Sequence, residues 1–215
     1  RWTERGLEYE ADPRQAEKLL EELDLAGDGV KGVVTPGVKT TAQQLETEQV
    51  RDDDRHTLFR ALAARANYLA ADRPDIMYAA KEICRLIAKP TGVAMNALKR
   101  LGRYLRAKPK LVFRFDFQSA SSWEVYTDTD WAGCVRMRKS TSGGCLLLGN
   151  HVLKCWSATQ ASIALSSGEA EYYRVVKGVG IDLGQQALGR DAGFTLPVRV
   201  WTGSSAAMGL HQDRG

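Results

Sequence analysis

Apolar residues in the middle of this chain recur with helical spacing, and towards the C-terminus they alternate. Ile76, Ala79, Ala80, Ile83 and Ile87 fall on one helical face, with Lys81, Arg85 and Lys89 at i, i+4 and i+8 opposite. Pro74 and Pro90 bracket that helix. A second helix repeats the design: Leu98, Leu101 and Leu105 form its apolar stripe, Lys99, Arg103 and Arg106 its basic one, and Pro109 stops it. An earlier helix with Leu58, Leu62 and Leu69 completes a three-helix cluster. Nearer the N-terminus, Asp12-Pro13 reads as the cap and first position of a helix running to Leu23. Val33-Val34 reads as a short strand or an extended connector, and the polar stretch 40–54 as a linker.

The periodicity changes near Phe113. From Trp123 to Asp128, Glu124, Tyr126 and Asp128 share one face, and Trp123, Val125 and Thr127 the other. Gly143 to Leu148 and His151 to Trp156 flank Gly149-Asn150, a hairpin signal. A helix begins near Ser166, and Val198 to Thr202 makes a fourth strand. Gly178, Gly180 and Gly184 lie inside that helix and each weakens it by up to about 1 kcal/mol, so a kink or an early end is expected. The fold class is therefore α/β, a mixed sheet preceded by a helical segment. The expected organisation is an acidic lead-in and linker over 1–54, a helical segment over 55–115 and a sheet domain over 120–215.

Charge sharpens this division. Within the 215 residues, Arg1 to Ala80 contains 11 basic and 16 acidic residues, a balance of −5. Lys81 to Arg114 contains 10 basic residues against Glu82 alone, a balance of +9, and the remainder is neutral. A basic track of this kind points to a polyanion, with Lys81, Arg85, Lys89, Lys99, Arg103 and Arg106 as candidate phosphate contacts. Such stripes also occur as ordinary solvated helix faces. No apolar run approaches the roughly 20 residues of a membrane span, and the N-terminus does not resemble a signal peptide. The four cysteines, Cys84, Cys134, Cys145 and Cys155, form no C-x-x-C pair, which suits reduced thiols in an intracellular, non-secreted protein. The absence of an initiator methionine suggests a piece of a longer polypeptide.

Two sets of motifs carry a resemblance. Tyr126-Thr127-Asp128-Thr129-Asp130-Trp131-Ala132-Gly133, Arg138-Lys139-Ser140-Thr141-Ser142-Gly143-Gly144, Cys155-Trp156-Ser157 and Ser166-Ser167-Gly168-Glu169-Ala170-Glu171-Tyr172 follow one another in order. Before them come Asn67-Tyr68-Leu69, Arg73-Pro74-Asp75-Ile76-Met77-Tyr78-Ala79 and Leu98-Lys99-Arg100-Leu101-Gly102-Arg103-Tyr104-Leu105. Together these resemble the Pol polyproteins of copia-type retrotransposons, from a reverse-transcriptase thumb or connection element into a ribonuclease H domain. The resemblance implies a ribonuclease H-like sheet, incomplete at its C-terminus, an RNA–DNA hybrid or other duplex as partner, and the remainder of a Pol polyprotein. Nothing in the chain matches a Tyr-x-Asp-Asp polymerase motif.

The resemblance also implies metal chemistry. Carboxylates on a strand end and a following helix hold two Mg²⁺ ions about 3.5–4 Å apart, which activate water and stabilise the leaving oxygen. Asp128 aligns with the first family aspartate. Glu169, three residues after Ser166, reads as a capping-box residue, which favours Glu171 over Glu169 as the second ligand. Ser140 and Thr141 are candidates for hydrogen bonds to a nucleic-acid backbone. The family's next acid falls in Trp201-Thr202-Gly203, where this chain has glycine, and its last would fall beyond Gly215. Weak Mg²⁺ binding and impaired hydrolysis are therefore expected, unless an acid such as Asp213 substitutes. The alternative is a non-catalytic nucleic-acid-binding module.

Overall fold

The computed structural model describes residues 1–41, 43–44 and 55–203. The chain divides into two compact units, Arg1–Thr3 with Leu7–Arg114, and Glu4–Gly6 with Phe115–Gly215. In the first unit, strands β1 (Trp2–Thr3) and β2 (Gly6–Glu10) precede helices α1 (Pro13–Glu22), α2 (Arg55–Leu69), α3 (Met77–Cys84) and α4 (Gly92–Ala107). Strand β3 (Val112–Asp116) completes a small sheet of order β1-β2-β3. Sequence patterning did not disclose β1 and β2, which are short.

The helices start where their capping residues dictate. Asp12 accepts a hydrogen bond from the Arg14 N–H at 3.0 Å ahead of Pro13, and Thr91 Oγ1 accepts from the Ala94 N–H at 3.1 Å. One core holds the unit together: Leu19 of α1, Phe59 and Leu62 of α2, Ile76, Ala80 of α3, and Leu98, Leu101 and Leu105 of α4 are all fully buried. The stretch expected as a lead-in is thus part of the helical core as far as α1, not a separate element. The linker expected over 40–54 lies largely outside the described residues.

Helix α3 is shorter than its apolar stripe suggested. A single 3-10 turn over Pro74–Ile76 leads into it, and it ends at Cys84. Beyond Cys84 the backbone tightens, with Leu86 N–H bonded to Ile83 C=O and Ile87 N–H to Cys84 C=O. Pro90 then disfavours helical geometry at Lys89 and lacks the N–H that the Leu86 carbonyl would accept. Val33-Val34 is a connector rather than a strand, with Val33 N–H bonded to Arg103 C=O.

The second unit is a four-stranded mixed sheet with one long helix. Strands β4 (Trp123–Asp130), β5 (Thr141–Leu148) and β6 (His151–Thr159) run antiparallel, helix α5 (Ser167–Asp191) follows, and β7 (Val198–Thr202) returns parallel to β4. The sheet order is β6-β5-β4-β7, so β4 is an interior strand. Its alternation separates two faces: Trp123 and Val125 are buried in the core, while Tyr126 and Asp128 are exposed. Trp123, Val125, Leu146 and Trp156 form that core, with Ile181 of α5 packed against it.

Helix α5 runs unbroken through its glycines, contrary to the kink expected from them. A Cβ at Gly178 would stand 2.8 Å from Thr127 Cγ2 and 3.1 Å from Val125 Cγ1. At Gly189 it would stand 3.1 Å from the Trp123 ring. These glycines let the helix lie close on β4, and that packing outweighs their poor propensity. Gly180 and Gly184 face open space.

The two classes of glycine should respond oppositely to substitution. Gly178→Ala should lower stability by about 1–2 kcal/mol, because the stiff β-branched Thr127 and Val125 cannot yield. Gly180→Ala and Gly184→Ala should each raise it by about 0.5–1 kcal/mol. Urea unfolding of the three variants measures this; a stabilised Gly178→Ala would refute the close-packing account.

Candidate metal and nucleic-acid site

Asp128 lies near the C-terminal end of β4, opposite Gly143 of β5, with its side chain almost fully exposed. Its Oδ1 faces Nη1 of Arg174 at 3.3 Å. Arg174 is itself buried. The same nitrogen donates to Thr127 C=O at 2.7 Å, and Nη2 donates to Thr202 Oγ1 at 2.5 Å. One guanidinium therefore joins α5 to the ends of the parallel pair β4 and β7. Gly203, just past Thr202, offers no side-chain ligand.

Glu171 sits one turn before Arg174 on α5, so it is carried to the same end of the sheet as Asp128. Buried Gln160 fixes this end of the helix: its Nε2 donates to Ala170 C=O at 2.7 Å and to Ser142 Oγ at 2.9 Å. Ser142 is in turn the partner of Thr129 on β4. Glu169 is engaged at the helix start, as its capping-box spacing suggested. Its N–H donates to Ser166 Oγ, its carboxylate accepts from Leu165 N–H at 2.8 Å, and Tyr173 Oη donates to it at 3.0 Å. Glu171 makes no hydrogen bond or ion pair among the described residues.

Among the described residues the donors do not make up a two-magnesium centre. Among the described residues no three His, Cys, Asp or Glu side chains cluster to hold a metal ion. Two carboxylates remain, and one oxygen of Asp128 already faces a fixed positive charge. Asp213 lies outside the described residues. Asp130, at the end of β4, is folded over Gly133, whose N–H bonds to the Asp130 C=O, so it serves the turn.

The remaining candidates divide between surface and interior. Ser140 is wholly buried, its hydroxyl accepting from Ala132 N–H at 3.1 Å, and Thr141 is buried beside it. The hairpin entrance therefore presents neither hydroxyl to a nucleic-acid backbone. Lys81 and Arg85 both pair with Glu82, at 2.6 and 2.9 Å. Lys81 also lies over the Tyr78 ring. Lys89 is exposed but falls beyond the end of α3. On α4, Arg106 donates to the carbonyls of Leu25 and Ala26 at 3.0 and 2.8 Å, and Arg103 lies beside Val33 through its carbonyl. Lys99 is half-buried. The segment after α1 thus runs along much of the α4 stripe.

Sequence reasoning missed Arg174 and Asp182, since charged residues on a glycine-rich helix read as solvated. Spacing them from Gly178 by four residues in each direction would have placed both on its packed face. Both oxygens of Asp182 are buried without a hydrogen-bond partner, and so are the indole N–H groups of Trp123 and Trp156. Burial pushes the Asp182 carboxyl above its ordinary value. On the opposite face Glu124 is held below the usual carboxylate range, first by the Ser122 hydroxyl at 2.5 Å and then by the Trp201 indole.

Comparison with known proteins agrees with these motifs. The chain is 36% identical over 115 residues to an uncharacterized mitochondrial protein of Arabidopsis thaliana, covering 53% of this chain and 48% of that protein. It is 36% identical over 119 residues to the retrovirus-related Pol polyprotein from transposon RE2 of Arabidopsis thaliana, covering 55% of this chain and 8% of the polyprotein. A secreted RxLR effector protein of Plasmopara viticola is 33% identical over 112 residues, covering 52% of this chain and 79% of the effector. No family model matches the chain, and no solved structure matches it. About half of the chain is similar to the retrovirus-related Pol polyproteins from transposons RE1 and RE2 of Arabidopsis thaliana and TNT 1-94 of Nicotiana tabacum. The chain spans less than half of the mitochondrial relative and a small part of the polyproteins. No helix among the described residues is long and apolar enough to cross a membrane.

The buried carboxyl generates a pH prediction. An acid whose folded value is raised stabilises the fold fully below its unfolded value, near 4, and that contribution is lost as pH rises through the folded value. Asp182→Asn should therefore gain about 1 kcal/mol at neutral pH and flatten the fall in stability above pH about 4. Urea midpoints of both proteins between acid and neutral pH measure it; parallel curves would show that Asp182 is not desolvated.

Proposed function

We propose that this chain is a segment of a copia-type Pol polyprotein whose second unit is a ribonuclease H-like domain with a disabled hydrolytic site. Three strands, a helix and then a strand are the element order that the resemblance implies, and here the last strand pairs parallel with β4. The observation that carries the disabled site is Arg174. Its buried guanidinium stands against Asp128 and Thr202, beside the position where the family has an acid and this chain has Gly203. A fixed cation there repels Mg²⁺ and holds the one strand-end carboxylate. Asp128 and Glu171 are the residues that would bind Mg²⁺, and two carboxylates, one of them held against an arginine, bind it weakly. The substrate of an intact site would be an RNA–DNA hybrid, selected by groove shape and 2′-hydroxyl contacts.

The basic first unit is the part of this reading that engages duplex phosphates. Arg106, the Glu82-paired Lys81 and Arg85, and the Glu10-paired Lys110 have protein partners, so binding would rest more on Lys89, Lys99 and Lys108. The remainder of the polyprotein would supply further contacts. An intracellular site, in the cytoplasm or a virus-like particle, belongs to the same reading.

Cleavage of a labelled hybrid in Mg²⁺ should be slow or undetectable, and metal titration should show weak binding. Arg174→Met with Gly203→Asp should tighten Mg²⁺ binding relative to the unmodified chain, and adding Asp128→Asn should reverse the gain. Robust cleavage by the unmodified chain, abolished by Asp128→Asn, would overturn the disabled-site reading.

Duplex affinity should fall steeply with salt and without sequence preference. Lys89→Glu with Lys99→Glu should weaken binding and flatten the salt slope by roughly one to two phosphate contacts. Unchanged affinity would return these lysines to ordinary surface.

A further inference from the structure

Cys145 of β5 and Cys155 of β6 are direct cross-strand partners. Their kind of pairing follows from the hydrogen bonds nearby. Gln160 N–H donates to Ser140 C=O at 2.8 Å, so Ser140 and Gln160 are a hydrogen-bonded pair. Hydrogen-bonded and non-hydrogen-bonded pairs alternate along an antiparallel ladder. The register runs without interruption from Thr141 to Leu146, and its irregularity comes after Leu146. Cys145 and Cys155 are therefore a non-hydrogen-bonded pair, the kind whose Cα atoms approach to about 4.5 Å with side chains closest. Disulfides span Cα separations of about 4.4–6.8 Å.

Both thiols point to one face. Cys145 is the partner of Tyr126, which is exposed on the face opposite the Val125 and Thr127 side chains that meet α5. Both cysteines are free and half-buried, so a small reagent can reach them. The other two are placed differently: Cys134 lies in the turn after β4, where its sulfur accepts from Met137 N–H, and Cys84 donates to Ala63 C=O in the first unit.

We propose that Cys145 and Cys155 are a site of reversible oxidation that closes an intramolecular disulfide across β5 and β6, with a small disulfide such as glutathione disulfide as oxidant. One cysteine thiolate attacks a sulfur of the oxidant, forming a mixed disulfide and releasing one glutathione. The second cysteine attacks the protein sulfur of that mixed disulfide and releases the other glutathione. The protein loses two electrons and two protons, and the oxidant becomes two glutathione thiols. Burial pushes both cysteine thiols up, and a thiolate at Cys145 would push Cys155 further. Exchange is therefore slow at neutral pH and quickens in alkali.

The test uses the full reduced chain, equilibrated in glutathione buffers of stepped ratio, then alkylated and digested with trypsin. Cleavage after Lys139, Lys154 and Arg174 should give peptide 140–154 joined to 155–174, or an uncut 140–174 lighter by two hydrogens. Cys84 and Cys134 should remain alkylated. In denaturant the preference for this pair should disappear, because the sheet register creates it. Cys145→Ser should leave Cys155 alkylated or singly glutathionylated. Four free thiols under conditions that oxidise a small dithiol would overturn the proposal. So would glutathione adducts without closure, bridges to Cys84 or Cys134, or an unchanged preference in denaturant.

Discussion

Close approach of α5 to β4 is the constraint on which the second unit depends. Gly178 removes the side chain that would strike Thr127 and Val125, and Gly189 does the same beneath Trp123. One turn before Gly178, Arg174 enters the gap and takes the Thr127 carbonyl and the Thr202 hydroxyl. An arginine so placed is held by neutral acceptors more than by charge, since its carboxylate partner Asp128 is open to water. The helix could not sit so close with ordinary side chains on that face. The sheet end could not be tied so tightly without the guanidinium.

That arrangement changes the meaning of the acidic motif. Carboxylates gathered at a strand end repel one another, and a bound cation relieves the repulsion. Here the cation belongs to the chain. Asp128 faces a positive charge that is covalently attached, and Gly203, just past Thr202, offers no carboxylate beside it. The first unit shows a related economy: Arg106 holds the carbonyls after α1, and Arg73, fully buried, holds those of Lys108 and Pro109 together with Asp75. Arginines that look like a binding stripe in sequence also act as fasteners for irregular backbone.

Elements governed by local chemistry were legible in the sequence. Asp12-Pro13 fixed a helix start, Leu98, Leu101 and Leu105 marked the buried face of α4, and Gly149-Asn150 marked the hairpin. Elements governed by tertiary packing were not. The glycines of α5 signal weakness locally and close contact globally, and only the position of β4 decides between them. The periodic stripe through Ile87 overran the end of α3 at Cys84, beyond which the backbone tightens. Of the candidate site, motif order singled out Asp128 and Glu171 and passed over Arg174, whose inward position follows only from its four-residue spacing to Gly178 and the closeness of that glycine to β4.

The order β6-β5-β4-β7 leaves β7 paired on one side only, among the described residues. Its run Val198-Arg199-Val200-Trp201-Thr202 is β-branched and aromatic with a single charge, and that charge reaches across to Glu124 at 3.6 Å. An unprotected strand edge of this composition is a template for another strand. Where that edge is left open, concentrated solutions would associate edge to edge through β7, and low ionic strength, which leaves the Arg199 charge unscreened, would oppose it.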